Sequence, residues 1–252
     1  MRRSVVSRDH QKVIFVGGLH KSGTTLFHDI LANSTQVSSL CDRGLPCGEG
    51  QYIQSQLLPD IYYGEILFGL STEAYLTETS FSNPDIIGEK MFCEWKRYWQ
   101  IKSEYLLEKS PINVVRTRFL QRVFPKSIYI VLIRDPRTAY IAAKKNMRRI
   151  TMETYFRNWV AIYNTFLEDQ HYLTNSMLVQ YENLLSYPTD IIDECKATLC
   201  IDLPDCGAVI NCDTDEKYRT QWNVLYSEHA QLLDKVVMPK WSEKLGYTTG
   251  KF

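Results

Sequence analysis

The chain has 252 residues, with 29 basic and 29 acidic side chains, so its formal net charge is zero. This balance argues against a general binder of nucleic acid or of anionic membranes, which usually carries a basic excess. The hydrophobic fraction of 44% is ordinary for a globular protein. At this length we expect one α/β domain over residues 1–252, with residues 1–11 as a flexible N-terminus.

Membrane, targeting and metal signals narrow the class of protein further. No run of about 18 apolar residues occurs, so we expect no membrane span. The basic start Met1–Ser4 is not followed by the apolar run of a signal peptide, which favours a cytoplasmic protein with reduced thiols. The seven cysteines form no CxxC pair, and we expect no metal site.

The chain opens with a strand, a glycine-containing loop and a helix. Lys12 to Gly18 predicts a short buried strand, because its apolar residues are continuous and β-branched or aromatic. Gly17 and Gly18 end this strand. Thr24 to Ala32 then has helical spacing of its apolar residues.

The rest of the chain alternates between helix and strand patterns. A loop is expected over Asn33 to Gly50. The predicted strands are Tyr105 to Glu108, Ser127 to Ile133 and Ser176 to Gln180. The predicted helices are Gln51 to Leu70, Thr72 to Ser80, Pro111 to Phe124, Pro136 to Met147, Thr151 to Tyr172, Thr189 to Leu199 and Val224 to Leu245, the last divided by Pro239. This alternation predicts a parallel sheet covered by helices on both faces, with ligands bound at the carboxyl ends of the strands.

The loop Gly18-Leu19-His20-Lys21-Ser22-Gly23-Thr24-Thr25 has the context of a phosphate site, between a strand and a helix N-terminus. Its two glycines have the spacing of the GxxxxGK[ST] pattern, but Thr24 stands where that pattern has lysine. Lys21 lies inside the loop instead, within reach of a phosphate. The alternative is a glycine turn that carries a solvated lysine.

The segment Lys-Ser-Gly-Thr-Thr after a buried strand resembles the 5′-phosphosulfate loop of the sulfotransferase family. The resemblance runs from about Lys12 to Tyr247. It implies a P-loop NTPase-like three-layer fold with a central parallel sheet flanked by helices. It also implies the donor 3′-phosphoadenosine 5′-phosphosulfate (PAPS), with 3′-phosphoadenosine 5′-phosphate (PAP) as product, and His20, Lys21, Ser22, Gly23, Thr24 and Thr25 as donor-binding residues.

A second motif, Ile-Arg-Asp-Pro at the end of the Ser127 to Ile133 strand, resembles the family's 3′-phosphate element. It places Arg134 on the 3′-phosphate, which a guanidinium can grip with two hydrogen bonds. The alternative is that Arg134 pairs with Asp135 or with another carboxylate on the surface. The family usually has a serine eight residues later, where this chain has Ala142. Ala142 implies either a weaker grip on the 3′-phosphate or a replacement by Lys144, Lys145, Arg148 or Arg149. The alternative for this basic cluster is a solvated helix face.

Three aromatic residues are further candidates for the donor site. Tyr181, in Tyr-Glu-Asn-Leu after a strand, resembles the family's Tyr-Glu-x-Leu segment; its alternative is packing at the strand edge. Tyr218 and Trp222 occupy the place of a late loop that closes over the nucleotide in the family. Burial in the core is the alternative for both.

Sulfonate transfer requires a positioned acceptor, a base and cations that stabilise the leaving phosphate. Lysines can supply this positive charge without a metal. Lys21 and Lys109 are the candidate cations. The alternative for Lys109 is an exposed loop lysine. For the base, the tyrosylprotein branch uses a glutamate in a Gly-Glu segment after the first helix, which favours Glu49 here. His20 is the rival base because it neighbours Lys21.

The favoured function is sulfonate transfer to a hydroxyl or an amine. A kinase that uses ATP and magnesium is one alternative, and a catalytically silent nucleotide-binding protein is another. The acceptor pocket is expected in Asn33 to Ser80 and Met147 to Tyr155, whose aromatic residues suit a small apolar or aromatic molecule. A peptide or glycan acceptor stays open, and we expect neither a nucleic-acid nor a membrane partner.

Overall fold

The computed structural model describes residues 8, 11–40, 48–99, 104–145, 150–202, 215–233 and 235–252. One five-stranded sheet has the order β2-β3-β1-β4-β5, and every neighbouring pair is parallel. Its strands are β1 (Lys12–Gly18), β2 (Val37–Ser39), β3 (Tyr105–Lys109), β4 (Ile128–Ile133) and β5 (Ser176–Gln180).

Helices connect the strands and cover the sheet. The α-helices are α1 (Thr24–Ala32), α2 (Pro84–Trp95), α3 (Thr117–Val123), α4 (Pro136–Lys144), α5 (Met152–Asp169), α6 (Tyr181–Ser186), α7 (Pro188–Leu199), α8 (Glu216–Leu233) and α9 (Lys240–Lys244). Short 3₁₀ helices cover Gly50–Tyr52, Asp60–Tyr63, Glu65–Leu70, Pro111–Val115 and Gln170–Tyr172.

The central strand β1 shows why the fold has three layers. Successive side chains of a strand point to opposite faces of the sheet. Ile14 and Val16 pack in the core that contains residues of α1, α6 and α7. Val13 and Phe15 pack in a core on the other side, with residues of α2 and α3. Both faces of β1 are therefore buried, as its continuous apolar sequence predicts, and the P-loop NTPase-like three-layer α/β fold is confirmed.

The region before β3 differs from its prediction. The predicted helices Gln51 to Leu70 and Thr72 to Ser80 are not α-helices; three short 3₁₀ helices occupy the first and turns occupy the second. Pro59 and Gly64 interrupt the first segment, since proline cannot donate a backbone hydrogen bond and Gly64 is left-handed (φ 87°). The sequence analysis also missed α2, β2 and α6, and it began α8 too late.

Helix α5 carries five aromatic side chains that form core. The residues Tyr155, Phe156, Trp159, Tyr163 and Phe166 are all buried. Two of these residues also use their polar ends. The indole N–H of Trp159 donates to the carbonyl of Arg134 at 3.1 Å. The Tyr163 hydroxyl donates to the Leu132 carbonyl at 2.8 Å and accepts the Leu19 N–H at 3.2 Å. Helix α5 therefore holds the backbone at the ends of β4 and β1.

We expect Tyr163→Phe to lower the free energy of unfolding by about 1–3 kcal/mol, because it leaves a buried N–H without its acceptor and removes a donor from a buried carbonyl. Urea unfolding measures this change. The control is Tyr172→Phe, because the side chain of Tyr172 is largely exposed. Equal effects of the two substitutions would contradict the role of the Tyr163 hydroxyl.

Candidate active site

The strand register brings the predicted site segments together. Val16 of β1 pairs with Lys109 of β3, and Gly18 pairs with Leu132 of β4. On the other side of β4, Ile133 pairs with Gln180 of β5. The residues that follow these strands therefore lie at one edge of the sheet, the edge where parallel α/β folds bind ligands.

The loop between β1 and α1 depends on its backbone conformation. Gly18 (φ 144°), Lys21 (φ 69°) and Gly23 (φ 97°) all have positive φ angles, which favour glycine and cost energy at Lys21. The Lys21 carbonyl accepts a hydrogen bond from Arg134 at 2.7 Å, while the Lys21 side chain is exposed. The alternative of a solvated lysine describes this side chain in the structure, which leaves the ammonium free to meet an anion.

The three hydroxyl residues of this loop differ in burial. Ser22 and Thr24 are buried, whereas Thr25 is exposed at the start of α1. Gly23 is the N-cap of α1, so the positive end of the helix dipole lies at the loop. This arrangement favours a bound anion.

Arg134 is buried, and its guanidinium already has partners. One terminal nitrogen donates to the Lys21 carbonyl, and the other forms an ion pair with the buried carboxylate of Asp215. Its Nε is buried and has no hydrogen-bond partner in the described part of the chain. The predicted alternative was a pair with Asp135 or with another surface carboxylate. Asp135 pairs with Arg137 at 2.6 Å instead, while Arg134 does pair with another carboxylate, Asp215, which is buried and not on the surface. Asp215 thus gives Arg134 the kind of negative partner that a phosphate would provide.

The predicted donor-site aromatics separate into two groups. The rings of Tyr181 and Tyr218 lie 4.4 and 5.3 Å from the Arg134 guanidinium. Tyr181 also lies directly against Gly23, where an added Cβ would approach its ring to 2.4 Å. Trp222 is fully buried, and its indole N–H donates to the Gly250 carbonyl at 2.9 Å, so the core alternative describes it.

The predicted late loop around Tyr218 and Trp222 is helical, because both residues lie in α8. A helix places positions four apart on one face, and Trp222 packs there against Phe156 while Tyr218 reaches Arg134. Core packing of the tryptophan therefore fixes the face that α8 turns toward the sheet.

Glu49 and Lys109 form a buried ion pair, with 2.8 Å between Oε1 and Nζ. Only 2% of the Lys109 side chain and 8% of the Glu49 side chain are exposed, so the alternative of an exposed loop lysine is wrong. Lys109 is the last residue of β3, not a loop residue. Two groups predicted separately for catalysis thus contact each other.

Glu108, which the sequence analysis did not select, anchors the backbone beside Glu49. Its carboxylate accepts hydrogen bonds from the Gly50 N–H at 2.9 Å and from the Ser110 hydroxyl at 2.6 Å. Burial raises the pKa of Glu108, partly offset by these donors. A Cβ at Gly50 would approach its Oε1 to 2.6 Å, so glycine is required for this contact.

A chain of side-chain hydrogen bonds joins the rival bases. The Gln51 amide donates to Glu49 Oε2 at 2.6 Å and to Asp60 Oδ2 at 3.0 Å. The same Asp60 oxygen lies 3.1 Å from His20 Nε2. Burial alone would raise the pKa of Asp60, but hydrogen bonds from His20, Gln51 and Tyr52 together hold it below its ordinary value. No motif marks Asp60 or Gln51 for this role.

The basic residues predicted to replace the missing serine are described only in part. Ala142 is half-buried on α4, and Lys144 and Lys145 are exposed. These two lysines border a groove of about 530 Å³ between α4 and α8. Arg148 and Arg149 lie outside the described residues, as do Cys41, Cys47, Cys206 and Cys212.

The described ranges contain neither a metal-type cluster of side chains nor a membrane-spanning helix. No group of three or more His, Cys, Asp or Glu side chains there is arranged to hold a metal ion. No helix in those ranges is both long and apolar enough to cross a membrane.

Comparison with known proteins assigns the fold and the family. The model of the sulfotransferase family matches residues 68–205, more than half of the chain. The matched range contains Lys109, Arg134 and Tyr181 but not the loop after β1. The chain therefore belongs to the sulfotransferase family. No curated protein sequence matches the chain.

Three solved structures with the same fold are sulfotransferases. The sulfotransferase domain from the curacin biosynthetic pathway has a TM-score of 0.53 at 16% identity, covering 94% of this chain and 98% of that one. The sulfotransferase from Alicyclobacillus acidocaldarius has a TM-score of 0.53 at 13% identity, and the match covers 95% of this chain and 100% of that one. The sulfotransferase domain from the Synechococcus PCC 7002 olefin synthase has a TM-score of 0.52 at 17% identity, and the match covers 95% of this chain and 97% of that one. At these identities the likeness is one of fold, while the family match identifies an enzyme of sulfuryl transfer and disfavours the kinase and silent-protein alternatives.

We expect Gly23→Ala to destabilise the protein more than Gly246→Ala does. Both glycines have positive φ angles, so both substitutions carry a backbone cost of about 1–2 kcal/mol. Only at Gly23 does the new methyl group meet another residue, the Tyr181 ring; nothing lies within 4 Å at Gly246. Thermal unfolding of the two variants isolates this contact, and equal shifts in Tm would contradict it.

Proposed function

We propose that this chain transfers a sulfonate group from PAPS to a hydroxyl or an amine of a small-molecule acceptor. One observation carries the proposal: the loop of residues 18–25, called the phosphate-type loop below, lies at one sheet edge with Arg134 and the Glu49–Lys109 pair. The chain that brings them together belongs to the sulfotransferase family. Each of these features supports a different part of the reaction.

The donor would bind along the loop and Arg134. The N-terminus of α1 and the exposed Lys21 side chain supply positive charge for the 5′-phosphosulfate. Arg134 supplies it for the 3′-phosphate, and Tyr181 and Tyr218 lie against its guanidinium. His20, Ser22, Gly23, Thr24 and Thr25 belong to the same loop. Trp222 would act indirectly, by fixing the face of α8 that carries Tyr218.

The transfer itself would be an in-line displacement. The acceptor oxygen forms a bond to sulfur while the bond from sulfur to the bridging phosphate oxygen breaks, and PAP leaves with the electron pair. Lys21 and Lys109 would stabilise the charge on the leaving phosphate. Glu49 is the proposed base: once Lys109 turns toward that phosphate, Glu49 Oε1 loses its partner and can accept the acceptor proton. His20 is the alternative base.

The acceptor proposal rests on the surface around Asp60. Leu58, Ile61 and Tyr62 are all at least half exposed beside this buried carboxylate, whereas Phe68 is fully buried and belongs to the core. Exposed apolar side chains near Asp60, which Gln51 links to Glu49, suit an apolar or aromatic small molecule. No metal ligand is needed for this scheme, because cationic side chains supply the charge.

Calorimetric titration tests donor recognition directly. We expect PAP to bind the wild-type protein and ATP with magnesium to bind at least about tenfold more weakly, since Arg134 would meet the phosphate that ATP lacks. Arg134→Ala should weaken PAP by about 10- to 100-fold. Arg97→Ala, at an exposed position on the surface, is the control. Preference for ATP with magnesium would overturn the proposal.

Asp215→Asn should change the affinity for PAP in the opposite direction to Arg134→Ala. Asp215 must release Arg134 before a phosphate can pair with it, and the substitution leaves Arg134 as a buried cation without its anion. We expect PAP to bind at least about tenfold more tightly to Asp215→Asn than to the wild type. Glu216→Gln, one residue further and exposed, is the matched control. Unchanged or weaker binding would show that Asp215 does not compete with the donor.

A further inference from the structure

The hydrogen-bond chain between the two rival bases converges on one carboxylate, Asp60. Its side chain is completely buried, yet it accepts three side-chain hydrogen bonds. His20 Nε2 and Gln51 Nε2 share its Oδ2 at 3.1 and 3.0 Å, and the Tyr52 hydroxyl donates to Oδ1 at 2.9 Å. A buried carboxylate is tolerated when such donors surround it.

The charge of Asp60 determines which atoms carry hydrogen. These donors keep the pKa of Asp60 below its ordinary value, so the carboxylate is ionised and can only accept. His20 must therefore carry a hydrogen on Nε2. This bond ties the phosphate-type loop, in which His20 precedes Lys21, to the 3₁₀ helix Asp60–Tyr63.

Gln51 extends the same contact to Glu49. Its amide nitrogen donates one hydrogen to Asp60 and the other to Glu49 Oε2, and its carbonyl accepts the Asp60 N–H at 2.9 Å. Every hydrogen-bonding direction of the amide is thus used except one lone pair of its oxygen. The orientation of the amide is fixed, and with it the position of the Glu49 carboxylate.

His20 is poorly placed to accept a proton from a substrate. Its Nε2 is held by Asp60, and its Nδ1 is shielded from solvent without a hydrogen-bond partner among the described residues. Its ring lies 6.1 Å from that of the buried Phe68. Glu49, in contrast, is paired with Lys109, a cation that the proposed reaction draws toward the donor.

We propose that Asp60 is a positioning residue that holds the phosphate-type loop through His20 and the Glu49 carboxylate through Gln51, so that His20 anchors the loop and does not serve as the base. The role of Glu49 in this inference rests on the proposed function. The anchoring of the loop does not, and it can be measured without any ligand.

Two substitutions of the same histidine separate an anchor from a base. The glutamine side chain in His20→Gln can donate to Asp60 from its amide nitrogen but cannot take up a proton at neutral pH, whereas His20→Ala can do neither. We expect hydrogen exchange of the loop amides, residues 18–25, to be at least about tenfold faster in His20→Ala and in Asp60→Asn, and close to wild type in His20→Gln. His171→Gln and Asp193→Asn, both at exposed positions, are the matched controls.

Turnover provides the second readout, with PAPS as donor and water as the probe acceptor, followed as release of PAP. We expect Glu49→Gln to lower kcat by about 10²- to 10⁴-fold without a matching loss of PAP affinity. His20→Ala should lose kcat, and the glutamine variant should recover it. Loss of kcat in His20→Gln with normal loop exchange would make His20 the base and overturn the inference.

The outcomes distinguish the two proposals. Wild-type exchange in the loop of His20→Ala would refute the anchor, whatever the enzyme binds. Failure of the wild-type protein to bind PAP would refute the proposed function, while faster loop exchange in His20→Ala would still establish the anchor. Should Asp60→Asn fail to fold, the two His20 variants decide the question alone.

Discussion

The position of β1 between β3 and β4 is the constraint on which the site depends. Parallel pairing in register brings the ends of these strands, and of β5, to one edge of the sheet. Lys109 is the last residue of its strand, Arg134 follows β4 directly, and the glycine loop follows β1. Because both faces of β1 pack in close-packed cores, a shift of its register would place its side chains where they do not fit, and the core therefore keeps the site segments in place.

Most buried charges of the site are balanced by partners within the chain. Arg134 has Asp215, Lys109 has Glu49, and Asp60 has a ring of three donors. Burial makes an unpaired charge costly, so each of these contacts stabilises the ligand-free protein. For Arg134 and Lys109, the proposed donor would exchange one anion for another instead of meeting an uncompensated cation. Lys21 differs, since its side chain is exposed to solvent.

The parts of the site that the sequence predicted are those that adjacent residues specify. The glycine loop, the Arg-Asp-Pro strand end and the Gly-Glu segment each carry their signal within a few residues, and all three lie at the sheet edge as expected. The helix predicted for Gln51 to Leu70 was wrong because Pro59 and Gly64 outweigh the apolar spacing there. The prediction of a late loop around Tyr218 and Trp222 was wrong because the burial of Trp222 stabilises α8 through contacts that are distant in sequence. The specific roles of Glu49, Lys21, Lys109 and His20 stay predictions.

The sequence by itself determined the strands β1, β3, β4 and β5, the glycine loop and the sulfotransferase resemblance, because backbone conformation and apolar patterning depend mainly on neighbouring residues. Only the tertiary structure decided which charges meet. Asp215 is 81 positions from Arg134, and Lys109 is 60 from Glu49. Asp60 reaches His20 from a segment with no motif of its own. Such pairs depend on how the packed elements place their side chains, and burial, not proximity in the chain, makes each partner necessary.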